Sequence, residues 1–176
     1  KEISKISELI LIYEKWKELS TNCPNHNLFS DPHWISIWLD TFWQKSWQLK
    51  VLTAWQDKNL IEIVPLYYQQ ESLLSLKIFY PLGQGEAEEK EIASEYLDIL
   101  VHPKYKSATI VDIKHWLKHL ACDQLIWQAL LENSTAYEVL TSTTKQVRKS
   151  EATRYVLNSP DWTFPQLSKN MRSRYR

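Results

Sequence analysis

Glycine is scarce in this chain of 176 residues, which contains only Gly83 and Gly85. Dinucleotide-binding fingerprints need three closely spaced glycines. Walker phosphate loops need the pattern Gly-x-x-x-x-Gly-Lys. A single Gly-Gln-Gly triplet cannot form either motif. The sequence therefore excludes the common nucleotide-binding loops.

Cysteines and long apolar runs are also few. The two cysteines, Cys23 and Cys122, are too few for a disulfide framework. No apolar stretch approaches the length of about 18 residues that a membrane helix needs, and residues 1–20 mix charged and apolar residues unlike a targeting signal. We therefore predict a soluble, cytoplasmic protein with reduced thiols and no membrane span.

Net charge is zero, because 21 basic residues balance 21 acidic residues. Eight of the basic residues but only two of the acidic ones lie in 145–176, so the preceding part of the chain is acidic. Nucleic-acid-binding domains usually present a basic surface without a matching acidic one. We therefore expect no nucleic-acid partner, and self-association stays open.

Hydrophobic periodicity predicts a mixed α/β (α+β) fold with a largely antiparallel sheet. A three- and four-residue stripe predicts one helix over 3–19, and Asp31-Pro32 predicts the start of a second helix that ends near Gln44. Alternating residues predict a hairpin over 49–65, a third strand over 74–80 and a short strand over 96–101. Helix, strand, short helix and last strand are then predicted around 110–120, 125–129, 136–140 and 155–157.

Motifs for catalysis or metal binding are weak. His115 and His119 are four residues apart, but such pairs on a helix are usually solvated, and we expect no metal. Neither cysteine lies in a context that activates a thiol, and a Gly-x-Ser-x-Gly elbow is absent.

The stretch Tyr80–Gly85 has the glycine spacing of an acyl-CoA pyrophosphate loop. Acidic residues follow it directly and would repel phosphates, which favours a simple glycine turn.

Five segments in order resemble the CelD-type acetyltransferases, which belong to the GNAT superfamily and are related to the FemAB peptidyltransferases. The segments are Phe29–Trp38, Ile63–Leu66, Leu82–Gly83, Ser94–Asp98 and Leu167–Arg176. The resemblance implies a GNAT-like N-terminal lobe over residues 1–163. It also implies that residues 164–176 begin a basic helix that leads to a second lobe outside this chain.

The resemblance further implies a function in acyl transfer. The lobe would shape the acceptor side of an acyltransferase that moves an acyl group from acyl-CoA to an amine or hydroxyl of a small-molecule or saccharide acceptor. Acetyl-CoA, or another acyl-CoA, would be bound by the lobe outside this chain, so that this chain alone is expected to be inactive. The alternative is a non-catalytic carbohydrate- or protein-binding module.

Candidate site residues follow from the same comparison. Asp98 is a carboxylate between apolar residues and is predicted to act as the base that takes the proton from the amine or hydroxyl of the acceptor substrate. The alternative is that Asp98 caps a turn or pairs with an arginine. Glu95 and Tyr96 are predicted to bind the acceptor. Arg172 and Arg174 are predicted to contact an anionic substrate group, with a solvated helix face as the alternative.

Overall fold

A computed structural model of the protein describes residues 1–70, 72, 74–92 and 94–143. Six strands form one sheet: β1 (Glu2–Ile3), β2 (Gln48–Gln56), β3 (Asn59–Gln69), β4 (Ile78–Pro81), β5 (Leu100–Val101) and β6 (Gln124–Leu125). Within these described residues, five α-helices accompany it: α1 (Ile6–Leu11), α2 (Tyr13–Asn22), α3 (Pro32–Phe42), α4 (Lys106–His119) and α5 (Thr135–Thr143). The mixed, mostly antiparallel architecture is as predicted. Within the described part of the chain, no helix is both long enough and apolar enough to cross a membrane.

The long hairpin of β2 and β3 is the centre of the sheet. The strands run in the order β1-β2-β3-β4-β6, and β5 pairs with β3. All these pairings are antiparallel except β4 with β6, which is parallel. Asp57 adopts a φ of 55° at the tip of the hairpin, a left-handed conformation that Asp tolerates better than most residues.

Apolar layers cover both faces of the sheet. Side chains at odd positions of β3, such as Ile63 and Tyr67, pack in one cluster with residues of α1, α2 and α3. Even positions, such as Val64 and Leu66, pack in a second cluster with residues of α4 and α5. Because strand side chains alternate between faces, β3 is buried along nearly its whole length.

Several predicted boundaries are wrong. The predicted helix over 3–19 begins instead with β1, because Glu2 and Ile3 pair with Leu52 and Val51. The rest of the segment is broken at Ile12 between α1 and α2. Leu74 is fully exposed, and β4 starts only at Ile78. Asp98 precedes β5 rather than lying inside a strand.

Other boundaries are confirmed. The helix α3 starts at Pro32 after Asp31, whose carboxylate accepts a hydrogen bond from the His33 amide at 2.8 Å. The helices α4 and α5 overlap the predicted helical segments, although α4 begins four residues earlier than predicted, at Lys106. The predicted last strand at 155–157 and the basic helix over 164–176 lie outside the described residues, so the division at residue 163 stays a prediction.

Candidate functional site: an acidic cleft beside the glycine turn

A cleft opens where β4 and β6 diverge. The two strands pair at only two positions, Ile78 with Gln124 and Phe79 with Leu125. The Ile126 amide donates one further hydrogen bond to the Phe79 carbonyl at 2.9 Å. Beyond this point the cleft has a volume of about 370 Å³, which is within the range of small-molecule sites. Its lining consists of Tyr80, Gln84, Gly85, Glu86, Glu88, Glu91, Ser94, Ile126 and Gln128.

The glycine turn forms one wall of the cleft. Gly83 and Gly85 have φ values of 106° and 93°, which side-chain-bearing residues rarely adopt. A Cβ atom on Gly85 would lie 2.6 Å from the Tyr80 ring. The two glycines are therefore needed for the turn and for its close contact with the aromatic residues of β3 and β4.

Gln84 ties the turn to the opposite wall. Its side-chain nitrogen donates to the Ser94 carbonyl at 2.8 Å and to the Gln128 carbonyl at 3.1 Å, and its side-chain oxygen accepts from the Gln128 amide at 3.0 Å. The side-chain amide of Gln84 thus replaces the strand-to-strand bonds that β4 and β6 no longer make. Its own backbone carbonyl accepts a hydrogen bond from the Tyr67 hydroxyl at 2.7 Å.

Two tryptophans of α3 hold the acidic rim of the cleft. The Trp38 indole donates to Glu86 Oε2 at 3.3 Å, and Glu86 Oε1 accepts from the Ile92 amide at 3.2 Å. The Trp34 indole donates to the Ser94 hydroxyl at 3.1 Å. These contacts fix both ends of the loop that carries the exposed carboxylates Glu88 and Glu91.

The electrostatics of the cleft are negative. Three glutamates and no lysine, arginine or histidine stand among its lining residues. Burial raises the pKa of Tyr80 and, more strongly, that of Tyr67, so both phenols stay protonated at neutral pH. Such a lining attracts ammonium groups and offers hydrogen-bonding groups to hydroxyls, and it repels phosphates.

Asp98 lies apart from the cleft lining and is 3% exposed. It accepts hydrogen bonds from the Ala136 amide at 2.7 Å, the Thr135 amide at 3.2 Å, its neighbour Ile99 at 2.8 Å and the Asn25 side chain at 3.2 Å. Burial raises its pKa, an effect that these donors partly offset. Its hydrogen bonds to the first residues of α5 are those of a helix cap, which is close to the alternative role predicted for Asp98. The role of Asp98 as a base stays a prediction.

The other predicted site residues are not brought together. Glu95 is exposed and Tyr96 is half-buried, and neither lines the cleft, although Ser94 beside them does. Tyr96 has a φ of 58°, and its amide donates to the Ala129 carbonyl at 3.1 Å. Arg172 and Arg174 lie outside the described residues.

Sequence reasoning missed most of the cleft. The glycine turn and the acidic residues after it were visible signals for Gln84, Glu88 and Glu91. Gln128 carries no signal, because it reaches the cleft only through the parallel pairing of β6 with β4. In the described residues, no group of three or more His, Cys, Asp or Glu side chains could hold a metal ion.

Comparison with known proteins gives a weak structural likeness. No family model matches the chain, and no curated protein matches it significantly. An aminoglycoside 6′-N-acetyltransferase from Acinetobacter haemolyticus is 16% identical over 92% of this chain and 99% of its own, with a TM-score of 0.45. An acetyltransferase from Trypanosoma brucei is 13% identical over 89% and 99%, with a TM-score of 0.38. Because these TM-scores are below 0.5, the likeness establishes neither a shared fold nor an activity.

Proposed function

We propose that this chain is the acceptor-side domain of an acyl-CoA-dependent acyltransferase, and that the acidic cleft binds the acceptor. The acceptor carries an amine or hydroxyl on a sugar-containing molecule. The observation that carries the proposal is the composition of the cleft lining, which combines three carboxylates with amide and hydroxyl groups.

The charge of the lining supports an amine-bearing acceptor. A protonated amine that enters the cleft meets Glu88 and Glu91 at the rim, and opposite charges attract most strongly where a concave wall limits access of water. The ring of Tyr80 is half-buried and offers an apolar surface for the C–H face of a sugar. A cationic amino sugar matches these features.

The same lining does not fit coenzyme A. Its pyrophosphate and phosphate groups need backbone N–H groups or basic side chains, whereas Glu86, Glu88 and Glu91 follow the glycine turn closely. Acyl-CoA is therefore proposed to bind to a lobe outside this chain. We also propose Asp98 as the base, although it lies apart from the cleft lining and its hydrogen bonds give it a structural role as well.

Ligand titration with the full 176-residue chain tests the proposal. We expect glucosamine to shift the NMR signals of residues at the cleft, N-acetylglucosamine to bind at least several-fold more weakly, and acetyl-CoA not to bind. A double variant, Glu88→Gln with Glu91→Gln, should lose the preference for glucosamine. Glu8→Gln and Glu14→Gln on α1 and α2 serve as the matched control. Acetyl-CoA binding at the cleft, or equal binding of the charged and neutral sugars, would contradict the proposal.

A non-catalytic binding module is the second candidate. It is favoured by the hydrogen bonds of Asp98, whose two oxygens are already engaged with α5, Ile99 and Asn25. Release of CoA from acetyl-CoA in the presence of an amine, measured with a longer chain that continues beyond Arg176, separates the two candidates. Sugar binding without any CoA release would favour the module.

A further inference from the structure

Glu62 is a buried carboxylate that the cleft does not use. It lies in the central strand β3, is 1% exposed, and neither of its side-chain oxygens has a hydrogen-bond partner among the described residues. An ionised carboxylate without partners is among the costliest groups to bury. The arrangement is therefore tolerable only when Glu62 is neutral.

The surroundings of Glu62 offer little compensation. It lies on the face of β3 that packs against α4, together with Val64 and Leu66. Its cross-strand neighbours are Ala54 of β2 and Val101 of β5, neither of which can ionise.

Two charged groups act on Glu62 from the packed elements. Burial raises its pKa to about 7, with the nearby Asp112 of α4 acting in the same direction, and the α-ammonium of Lys1 beside β1 lowers it in part. Asp112 is exposed on the helix that covers Glu62. Ionisation of Glu62 would thus create like charges on β3 and α4.

We propose that Glu62 makes the docking of α4 on the sheet depend on a proton. With Glu62 protonated, α4 packs on β3 as observed. With Glu62 ionised, its hydration and its repulsion from Asp112 favour an opened α4. The device is independent of the acidic cleft, because Glu62 faces the opposite side of the sheet from Tyr67.

The direction of the effect follows from linkage. A carboxylate with an ordinary pKa of 4.5 in the opened state and about 7 in the docked state holds its proton more tightly when α4 is docked. Docking is strongest below pH 4.5 and weakens as pH rises, and the loss is complete above pH 7. The opening equilibrium should rise about tenfold per pH unit in this window and roughly 300-fold in all.

Hydrogen exchange of the full chain between about pH 5 and 8.5, corrected for intrinsic exchange rates, measures this opening. We expect protection of residues 106–119 to fall with pH more steeply than that of residues 13–22 in α2. In Glu62→Gln, which is neutral at all pH values, the fall should disappear. An equal fall in both helices, or the same profile in wild type and Glu62→Gln, would overturn the proposal.

Two further measurements keep the test decisive if Glu62→Gln does not fold. Asp112→Asn removes the like charge at an exposed position and should move the midpoint of the protection change to lower pH. Asp40→Asn, which changes an exposed aspartate on α3, is the matched control and should leave the midpoint unchanged. A carboxyl carbon NMR titration of wild type that places Glu62 at an ordinary pKa would also overturn the proposal.

Discussion

At the scale of single residues, Asp98 has two roles that make different predictions. Replacement by Ala leaves the amides of Thr135 and Ala136 without acceptors in a buried site. Because a buried unsatisfied donor costs about 1–3 kcal/mol, we expect Asp98→Ala to lower the free energy of unfolding by about 2–4 kcal/mol. Urea denaturation followed by circular dichroism measures this loss.

Asp98→Asn separates the capping role from the catalytic role. Asn retains one acceptor oxygen, so we expect a smaller loss of stability than for Asp98→Ala. Asp31→Asn, at the start of α3, is the matched control for a cap that lies nearer the surface. If the proposed acyltransferase activity is found, a variant Asp98→Asn that is as stable as wild type but inactive would support Asp98 as the base and contradict a purely structural role.

At the scale of elements, the turn after β4 decides the shape of the cleft. Both glycines have positive φ values, but only at Gly85 would a Cβ atom meet the Tyr80 ring at 2.6 Å, whereas at Gly83 its nearest neighbour is a Leu97 methyl group at 3.2 Å. Backbone strain of this kind costs about 1–3 kcal/mol. We expect Gly85→Ala to destabilise the domain more than Gly83→Ala does, as measured by thermal denaturation, and the reverse order would contradict the geometry.

The elements that the sequence predicts well are those with local signals. The β2–β3 hairpin has alternating residues on both sides of a turn at Asp57, and α3 has its cap at Asp31 directly before Pro32. The strand β1 had no such signal, because it forms through pairing with β2, which is distant in the sequence. Such long-range pairing overrides the helical stripe that Ile3 would otherwise extend.

The candidate site was less predictable than the fold for the same reason. Gln84 bonds to Ser94 and Gln128, and these residues meet only once β4 and β6 pair in parallel. Asp98 stood out in the sequence as a carboxylate among apolar residues, and its burial is as that pattern suggests. What the pattern could not show is that the first amides of α5 occupy its oxygens.

At the scale of the whole molecule, β3 couples the two apolar layers. Leu66 is fully buried on the α4 side, whereas Trp16, Trp38 and Trp47 pack on the opposite side of the sheet. Truncation of a buried Leu to Ala costs about 2–5 kcal/mol. Because both layers share one central strand, we expect Leu66→Ala to shift the unfolding of the tryptophan side by the same amount as that of the side covered by α4 and α5.

Coincident transitions are the test of that coupling. Backbone NMR signals of α2, on the tryptophan side, and of α4, on the other side, should give the same urea midpoint in wild type and a common, lower midpoint in Leu66→Ala. Val51→Ala, fully buried on the tryptophan side, is the matched variant and should lower both midpoints together in the same way. Separate midpoints for the two signals would mean that the layers unfold independently and that β3 does not join them into one cooperative unit.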